Sequence, residues 1–251
     1  LVPYHPFVQR TQYFDYGYIK HDLLYILVIM EDLFERIAAC VEFGKINQVS
    51  PYPPAMKGQP GAEELTVQAL EENVSPSDIL TKGLILGMER IGLKFKENKV
   101  FVPQVLMSAK AMGTAMKHLK PFFNDGTVQR KGQFIIGTVE GDLHDIGKNL
   151  VAMMIEGNGY EVIDLGVDVK VDQYLEAIRQ HPNAYVGMSA LLTTTMMNME
   201  VINAAIKKEF PNVITFVGGA PVTADFAKRI GVDYYTDGPQ ELVDILNKIS
   251  A

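Results

Sequence analysis

The sequence predicts a four-helix bundle followed by a five-stranded parallel α/β sheet. Two observations support this fold class. Apolar residues recur at helical spacing from Met30 to about Leu119, which is typical of amphipathic helices that pack on one another. Beyond this region, short β-rich runs alternate with helical segments, as in the βα units of a parallel sheet. We therefore expect a helical domain over residues 30–121, a linker over 122–131 and an α/β domain over 132–251.

The bulk composition is that of an ordinary globular protein. Of the 251 residues, 47% are apolar and 21% are charged. The net charge of −7, with no cluster of lysine and arginine, argues against a nucleic-acid partner. Cys40 is the only cysteine, which excludes internal disulfides and cysteine-rich metal sites and suits a reducing cytoplasm. We expect a cytoplasmic protein with no membrane partner.

Residues 1–29 differ from the rest of the chain. They hold five of the 11 tyrosines and show no clear period. The apolar run Leu23–Ile29 is too short to span a bilayer, and it lacks the basic start and small-residue cleavage site of a signal peptide. We expect this segment to be an upstream extension or disordered.

Each predicted helix of the first domain has one apolar stripe. The second helix follows a loop rich in breakers, and the third starts at Ser75-Pro76-Ser77-Asp78, where proline suits the first turn and an acid complements the helix dipole. The fourth begins near Pro103. In chain order, the stripes are Leu33, Ile37, Cys40 and Val41; Leu65, Val67, Ala69 and Leu70; Leu80, Leu84, Met88, Ile91 and Phe95; and Val105, Ala109, Met112, Met116 and Leu119.

The second domain is predicted to be a Rossmann-like (flavodoxin-like) sheet with helices on both faces. Its strands are expected at 133–139, 161–165, 184–189, 213–217 and 233–236, and its helices at about 145–157, 171–180, 195–208, 221–230 and 239–249. No G-x-G-x-x-G follows the first strand, which argues against a nicotinamide site. A phosphoryl-accepting site would need an aspartate in an acidic cluster. The loop after the first strand has His144 between Asp142 and Asp145 instead, which argues against such a site.

Three loops behind predicted strands carry the chemical signal. The first contains Asp142-x-His144-x-x-Gly147, the third contains Ser189-x-Leu191 and the fourth contains Gly218-Gly219. Open α/β sheets bind ligands at this edge. A carboxylate at Asp142 can hold one ring nitrogen of His144 and leave the other for a metal, while Gly147 lets a bulky planar group approach the backbone.

These motifs, in this order, resemble those of cobalamin-binding proteins in which a protein histidine replaces the cofactor's own lower ligand on cobalt. The helical half is similar to the cap domain of cobalamin-dependent methyltransferases, through Phe95, the run Phe101–Val105 and Ser108-Ala109. The resemblance covers roughly residues 76–251. It is strongest to the corrinoid proteins of methylamine-type and methoxy-compound methyltransfer systems, which are related to the cobalamin module of methionine synthase.

The resemblance implies a set of cofactor-binding residues. His144 would be the cobalt ligand, Asp142 would share its proton, and Thr195 would complete the relay, although the methionine synthase pattern has serine at that last position. The nucleotide tail of the cofactor would enter a cleft of small residues, with help from the amino end of the 145–157 helix. The implied set is Phe95, Val102, Val105, Asp142, His144, Asp145, Ile146, Gly147, Ser189, Leu191, Thr193, Thr195, Gly218 and Gly219.

The resemblance also implies a function in one-carbon metabolism, as a methyl carrier. A substrate-specific methyltransferase would load a methyl group onto the reduced cobalt, and a second methyltransferase would pass it to a thiol or folate. A reductive activase would be a third partner. The chain shows no nucleophile or acid–base pair of its own, so we expect a component of a methyltransferase system rather than a stand-alone enzyme.

Other interpretations remain open. Asp142 could cap the following helix, Ser189 and Leu191 could simply end a strand, and Gly218-Gly219 could be an ordinary turn. Phe95 and Val102 could be bundle core. Among cobalamin proteins, the alternatives are the binding subunit of an adenosylcobalamin mutase, which lacks such a cap, and a cobalamin-dependent sensor, which needs a DNA-binding module not evident in residues 1–60.

Overall fold

The computed structural model describes residues 30–124 and 128–250. The predicted extension over residues 1–29 lies outside the described part of the chain. The helical half consists of α1 (30–42), a 3₁₀ turn (Pro54–Met56), α2 (Ala62–Glu71), α3 (Pro76–Asp78), a π-helical segment (Ile79–Ile85), α4 (Leu86–Lys96) and α5 (Val102–Asn124).

The α/β half contains a five-stranded sheet in the order β2-β1-β3-β4-β5, with every neighbouring pair parallel. The fold class predicted from the sequence is confirmed. The strands are β1 (Gln133–Thr138), β2 (Glu161–Asp164), β3 (Tyr185–Ser189), β4 (Thr215–Gly218) and β5 (Tyr234–Tyr235). The helices are α6 (Ile146–Glu156), α7 (Val171–Gln180), α8 (Thr193–Met196), α9 (Asn198–Glu209), α10 (Ala224–Ile230) and α11 (Pro239–Ile249).

Most residues of the predicted apolar stripes form the core of the helical half. In α2 the core also includes Thr66, which is fully buried although the prediction placed Val67 on that face. Five predicted stripe residues are only partly buried: Val67, Leu70, Phe95, Ala109 and Met116. The last four of them pack against the core from its edge.

The helical half packs against α6 and α11 and shares a hydrophobic core with one face of the sheet. That core runs from Leu33 in α1 to Phe134 in β1 and Phe216 in β4. Gly92 permits a close approach, since a β-carbon there would lie 1.7 Å from Oε1 of Gln240 in α11. The two halves are therefore joined by buried apolar contact as well as by the chain.

Three helix boundaries differ from the prediction. α5 continues to Asn124, into the predicted linker. The predicted 195–208 helix is divided into α8 and α9 at Met197, whose backbone angles (φ −62°, ψ −24°) remain close to helical. α10 starts after Thr223, whose hydroxyl oxygen accepts a hydrogen bond from the Phe226 amide at 3.2 Å and so caps the helix. Among the described helices, none is long and apolar enough to cross a membrane.

Candidate cofactor-binding site

The loop between β1 and α6 holds an acid–histidine pair at the carboxyl edge of the sheet. Asp142 is fully buried. Its Oδ1 lies 2.7 Å from His144 Nδ1 and accepts a second hydrogen bond from the His144 backbone amide at 3.1 Å. The His144 side chain is 51% exposed, so the imidazole is anchored on one side and open to solvent on the other.

The other carboxylate oxygen of Asp142 is held by the loop that follows β3. Oδ2 accepts hydrogen bonds from the Thr195 hydroxyl at 2.6 Å and from the backbone amides of Leu191 at 2.8 Å and Leu192 at 3.3 Å. Burial alone raises the pKa of Asp142, but the hydrogen bonds from Thr195, Leu191 and His144 outweigh it and hold this pKa well below its usual range. Asp142 is therefore a carboxylate at neutral pH.

This geometry fixes which ring nitrogen of His144 carries the proton. An ionised carboxylate only accepts hydrogen bonds, so the proton of a neutral imidazole must lie on Nδ1, between the ring and Asp142. Nε2 then presents its lone pair, and among the described residues it makes no hydrogen bond. This is the arrangement in which histidine ligates a metal.

The backbone around the pair is tied to β1. The Thr138 hydroxyl donates to the carbonyl oxygen of His144 at 2.9 Å, and the Asp142 amide donates to the Val139 carbonyl at 3.1 Å. Gly141 between them has φ +79°, a left-handed conformation that glycine adopts without steric cost. Asp142 does not cap α6, because Asp145 occupies that position.

Exposed apolar side chains flank His144 in the sequence and lie on the loop after β3. Leu143 is 72% exposed and Ile146 is 76% exposed, on either side of His144. Leu191 and Leu192, on the adjacent loop, are also partly exposed, at 45% and 43%. Apolar side chains presented to solvent around a polar centre mark a binding surface, and these would suit a flat, largely apolar ring system.

A cavity of about 260 Å³ opens beside this surface, between the carboxyl ends of the strands and helices α6 and α11. Ser189, Gly218 and Gly219 line it. Gly219 has φ +124°, and a β-carbon there would lie 2.0 Å from the Ala190 carbonyl oxygen, so the protein itself requires this glycine. Gly147 also lines the cavity, but a β-carbon there would meet no protein atom within 4 Å, so its small size leaves room for a ligand.

The remaining predicted residues are dispersed around this centre. Asp145 accepts a hydrogen bond from Asn149 at 3.0 Å on the surface, and Thr193 is exposed at the start of α8. Phe95 and Val102 are partly buried against the core of the helical half, and Val105 is fully buried in it. A role of these three in cofactor binding stays a prediction.

Sequence reasoning missed two parts of the site. Lys148 lines the cavity although it is only 2% exposed, and its ammonium group pairs with Asp164 at the end of β2. The segment Tyr235–Pro239, between β5 and α11, lines the opposite wall. The apolar spacing of α6 gave a signal for the first, because position 148 falls on its buried face. The segment Tyr235–Pro239 gave no signal in the sequence, since its position beside the cavity depends on the order of the strands.

No set of three or more histidine, cysteine or acidic side chains in residues 30–124 and 128–250 is arranged to hold a metal ion. A single protein ligand such as His144 would suit a metal whose other ligands come from a cofactor. The held imidazole, the apolar surface and the cavity fit cobalamin, which has a flat ring system and a nucleotide tail.

Comparison with known proteins agrees with this geometry. A family described as B12 binding domain matches residues 132–245, and another of the same description matches residues 59–120. Among solved structures, the methanol:cobalamin methyltransferase complex of Methanosarcina barkeri superposes with a TM-score of 0.73 at 28% identity, over 87% of this chain and 80% of that one. A cobalamin-binding protein of Desulfitobacterium hafniense gives 0.64 at 28% identity, over 74% and 89%.

Sequence relatives extend along most of the described chain. The trimethylamine corrinoid protein of Methanosarcina barkeri is 40% identical over 186 residues, which cover 72% of this chain and 86% of that protein. Dimethylamine corrinoid protein 3 of Methanosarcina acetivorans is 38% identical over 186 residues, which cover 72% of this chain and 87% of that protein. With both domain families matched and this identity shared over most of the relatives' length, the chain belongs to the family of B12-binding corrinoid proteins.

Proposed function

We propose that this protein is a methyl carrier that binds cobalamin with His144 in place of the cofactor's own lower base. The observation that carries the proposal is the bond between Asp142 and Nδ1 of His144, which leaves Nε2 exposed as a ligand. When bound, the corrinoid supplies the cobalt centre that accepts and gives up the methyl group. The protein supplies the ligand, the binding surface and the control of protons.

The residues of the chain would divide the binding between two regions. Leu143, Ile146 and Leu191 would contact the flat face of the ring, because they are apolar and exposed beside His144. The nucleotide tail would occupy the cavity lined by Ser189 and Gly218, with its polar part near the amino end of α6. Because the ring and the tail would bind to separate regions, we expect loss of the histidine side chain to weaken cobalamin binding without abolishing it.

Asp142 and Thr195 would control the proton on His144. While Nε2 serves as a ligand, Asp142 holds the Nδ1 proton. Asp142 would keep the ring in the same orientation whether or not Nε2 is bound, because its buried, ionised carboxylate accepts from Nδ1 in either case. Thr195 donates to the far oxygen of that carboxylate and keeps it oriented toward the ring.

The partners follow from the carrier role. The relatives are named trimethylamine and dimethylamine corrinoid proteins, and a structural relative is named a methanol:cobalamin methyltransferase complex. We propose a substrate-specific methyltransferase of the methylamine type as the donor partner, a thiol or folate methyltransferase as the acceptor partner, and a reductive activase. The helical half would cap the upper cofactor face, with Phe95 and Val102 at its rim.

Identification of the bound corrinoid and its upper ligand tests the proposal. The purified protein should bind about one cobalamin per chain, and after incubation with a methyl donor and its methyltransferase the extracted cofactor should carry a methyl group. His144→Ala should bind more weakly, while His181→Ala, at the end of α7 away from the loop, should match the wild type. An adenosyl group on the natively loaded cofactor would instead favour the mutase alternative.

A further inference from the structure

We infer that Asp168, in the loop after β2, is a positioning residue that holds the Asp142–His144 pair in place. The inference rests on the proposed function. Its basis is a pair of hydrogen bonds that enclose the turn before His144. The Asp168 carboxylate accepts from the Gly141 amide at 2.7 Å, and the Asp168 amide donates to the Asp142 carbonyl oxygen at 3.0 Å.

The backbone conformation of Asp168 points to a specific role. Its φ is +55°, in the left-handed region that residues other than glycine rarely adopt and that aspartate and asparagine tolerate best. In this conformation its amide and its side chain both bond to the 139–142 turn. A residue kept in a less favourable conformation with two directed bonds is more typical of a functional constraint than of loop filler.

The whole loop after β2 is hydrogen-bonded alongside the histidine loop. The Thr138 amide donates to the Gly166 carbonyl at 3.0 Å, and the Val169 amide donates to the Thr138 carbonyl at 2.9 Å. Asp168 continues this pairing beyond the end of β1, up to Asp142. The loop therefore fixes the path of the chain from the last residue of the strand to the acid.

Asp142 is thus held from two directions. The loop after β3 grips its carboxylate through Thr195 and two backbone amides, while Asp168 grips its main chain. The carboxylate can meet Nδ1 of His144 at 2.7 Å only if both the main chain and the side chain are in place. If the Asp168 contacts are lost, the turn can rotate, this bond lengthens and the proton is no longer held on Nδ1.

Three substitutions separate the hydrogen bond from the backbone conformation. Asp168→Asn keeps an oxygen acceptor and tolerates positive φ, Asp168→Gly keeps the conformation without an acceptor, and Asp168→Ala loses both. Asn73→Gly is the matched control, because Asn73 also has a positive φ (58°) but lies in the helical half, behind α2. Each protein is measured for cobalamin affinity, for imidazole nitrogen splitting in the spin resonance spectrum of the cobalt(II) form, and for urea unfolding without cofactor.

The expected loss follows the hydrogen-bond acceptor at position 168. Asp168→Gly and Asp168→Ala should bind cobalamin on the order of tenfold more weakly, the lower end of the range for residues that orient a ligand, and should show reduced splitting. Asp168→Asn and Asn73→Gly should resemble the wild type in both. Unchanged affinity and splitting in Asp168→Gly, whatever its unfolding midpoint, would overturn the inference, as would equal losses in Asp168→Asn and Asp168→Gly. A wild-type protein without splitting would instead contradict the proposed function.

Discussion

Asp142→Asn is the change with the most specific consequence. The wild-type carboxylate accepts from three fixed backbone amides: Leu191 and Leu192 at Oδ2, and His144 at Oδ1. The asparagine side chain has one oxygen and one NH₂ group in place of two oxygens. Its NH₂ group must therefore lie opposite a backbone amide that also donates. The oxygen will turn toward Leu191 and Leu192, where two amides converge, and the NH₂ group will face His144.

That orientation reverses the histidine tautomer. The NH₂ group of the substituted side chain would donate to Nδ1 of His144, which must then be unprotonated, so the ring proton moves to Nε2. A protonated Nε2 has no lone pair for a metal. The substitution should therefore reduce the affinity of His144 for the metal by about 10–100-fold, although the imidazole keeps its position.

The same substitution should lower the stability of the cofactor-free protein. The His144 amide would face an NH₂ group in place of an acceptor, and a buried donor left unsatisfied costs about 1–3 kcal/mol. Urea unfolding at pH 7 measures this loss, and Asp172→Asn, an exposed acid in the first turn of α7, is the control. Cobalamin titration and the cobalt(II) resonance spectrum measure the loss of ligation.

The stability difference between Asp142→Asn and the wild type should depend on pH. The pKa of Asp142 in the folded protein lies below its ordinary value of 3.8, so the carboxylate stabilises the folded state fully above that value. This contribution is lost as the pH falls from about 4 through the folded pKa, so the difference should shrink below about pH 4. Wild-type ligation, affinity and stability in Asp142→Asn would refute the tautomer argument.

Three further predictions concern the cavity, the buried ion pair and the cap. Asp164→Ala should destabilise the protein by about 1–3 kcal/mol in urea unfolding, because the buried Lys148 ammonium keeps only its hydrogen bond to Asn149; Lys148→Met should cost less, because Asp164 is partly exposed to water. Gly147→Ala should leave the cofactor-free protein as stable or stabilise it by up to about 1 kcal/mol, since it lies in the first turn of α6, and should weaken cobalamin binding in a titration. Phe95→Ala and Val102→Ala should speed photolysis of the methylated cofactor form, followed by absorbance, because an open cap lets the separated radical pair escape; unchanged rates in both would place them in the core alone.

The sequence predicted the sheet well because buried parallel strands are short apolar runs between breakers. The prediction placed the first strand at 133–139, and β1 is Gln133–Thr138. The predicted fifth strand, 233–236, is shorter in the structure: β5 is only Tyr234–Tyr235, an edge strand that pairs with Phe216 and Val217 of β4. The π-helical turns of Ile79–Ile85 had no signal, since the apolar spacing there is also compatible with an α-helix.

The candidate site was predictable where its residues are close in sequence. The spacing of Asp142 and His144 predicted their contact, and the resemblance to cobalamin-binding proteins implied that Thr195 lies near them. The backbone amide of Leu192 and the side chain of Asp168 had no comparable signal. Their contacts join different βα loops, so they depend on strand order and on loop conformations such as the positive φ of Asp168.

The most direct test of the account is the spin resonance spectrum of the cobalt(II) protein prepared with ¹⁵N-labelled histidine. If His144 holds the cobalt, the spectrum shows nitrogen splitting from a protein imidazole, which changes from a triplet to a doublet on labelling and disappears in His144→Ala. His181→Ala should retain it. A triplet that stays unchanged in the labelled wild type, or a doublet that persists in labelled His144→Ala, would show that another base holds the cobalt. Either result would contradict the assignment of His144.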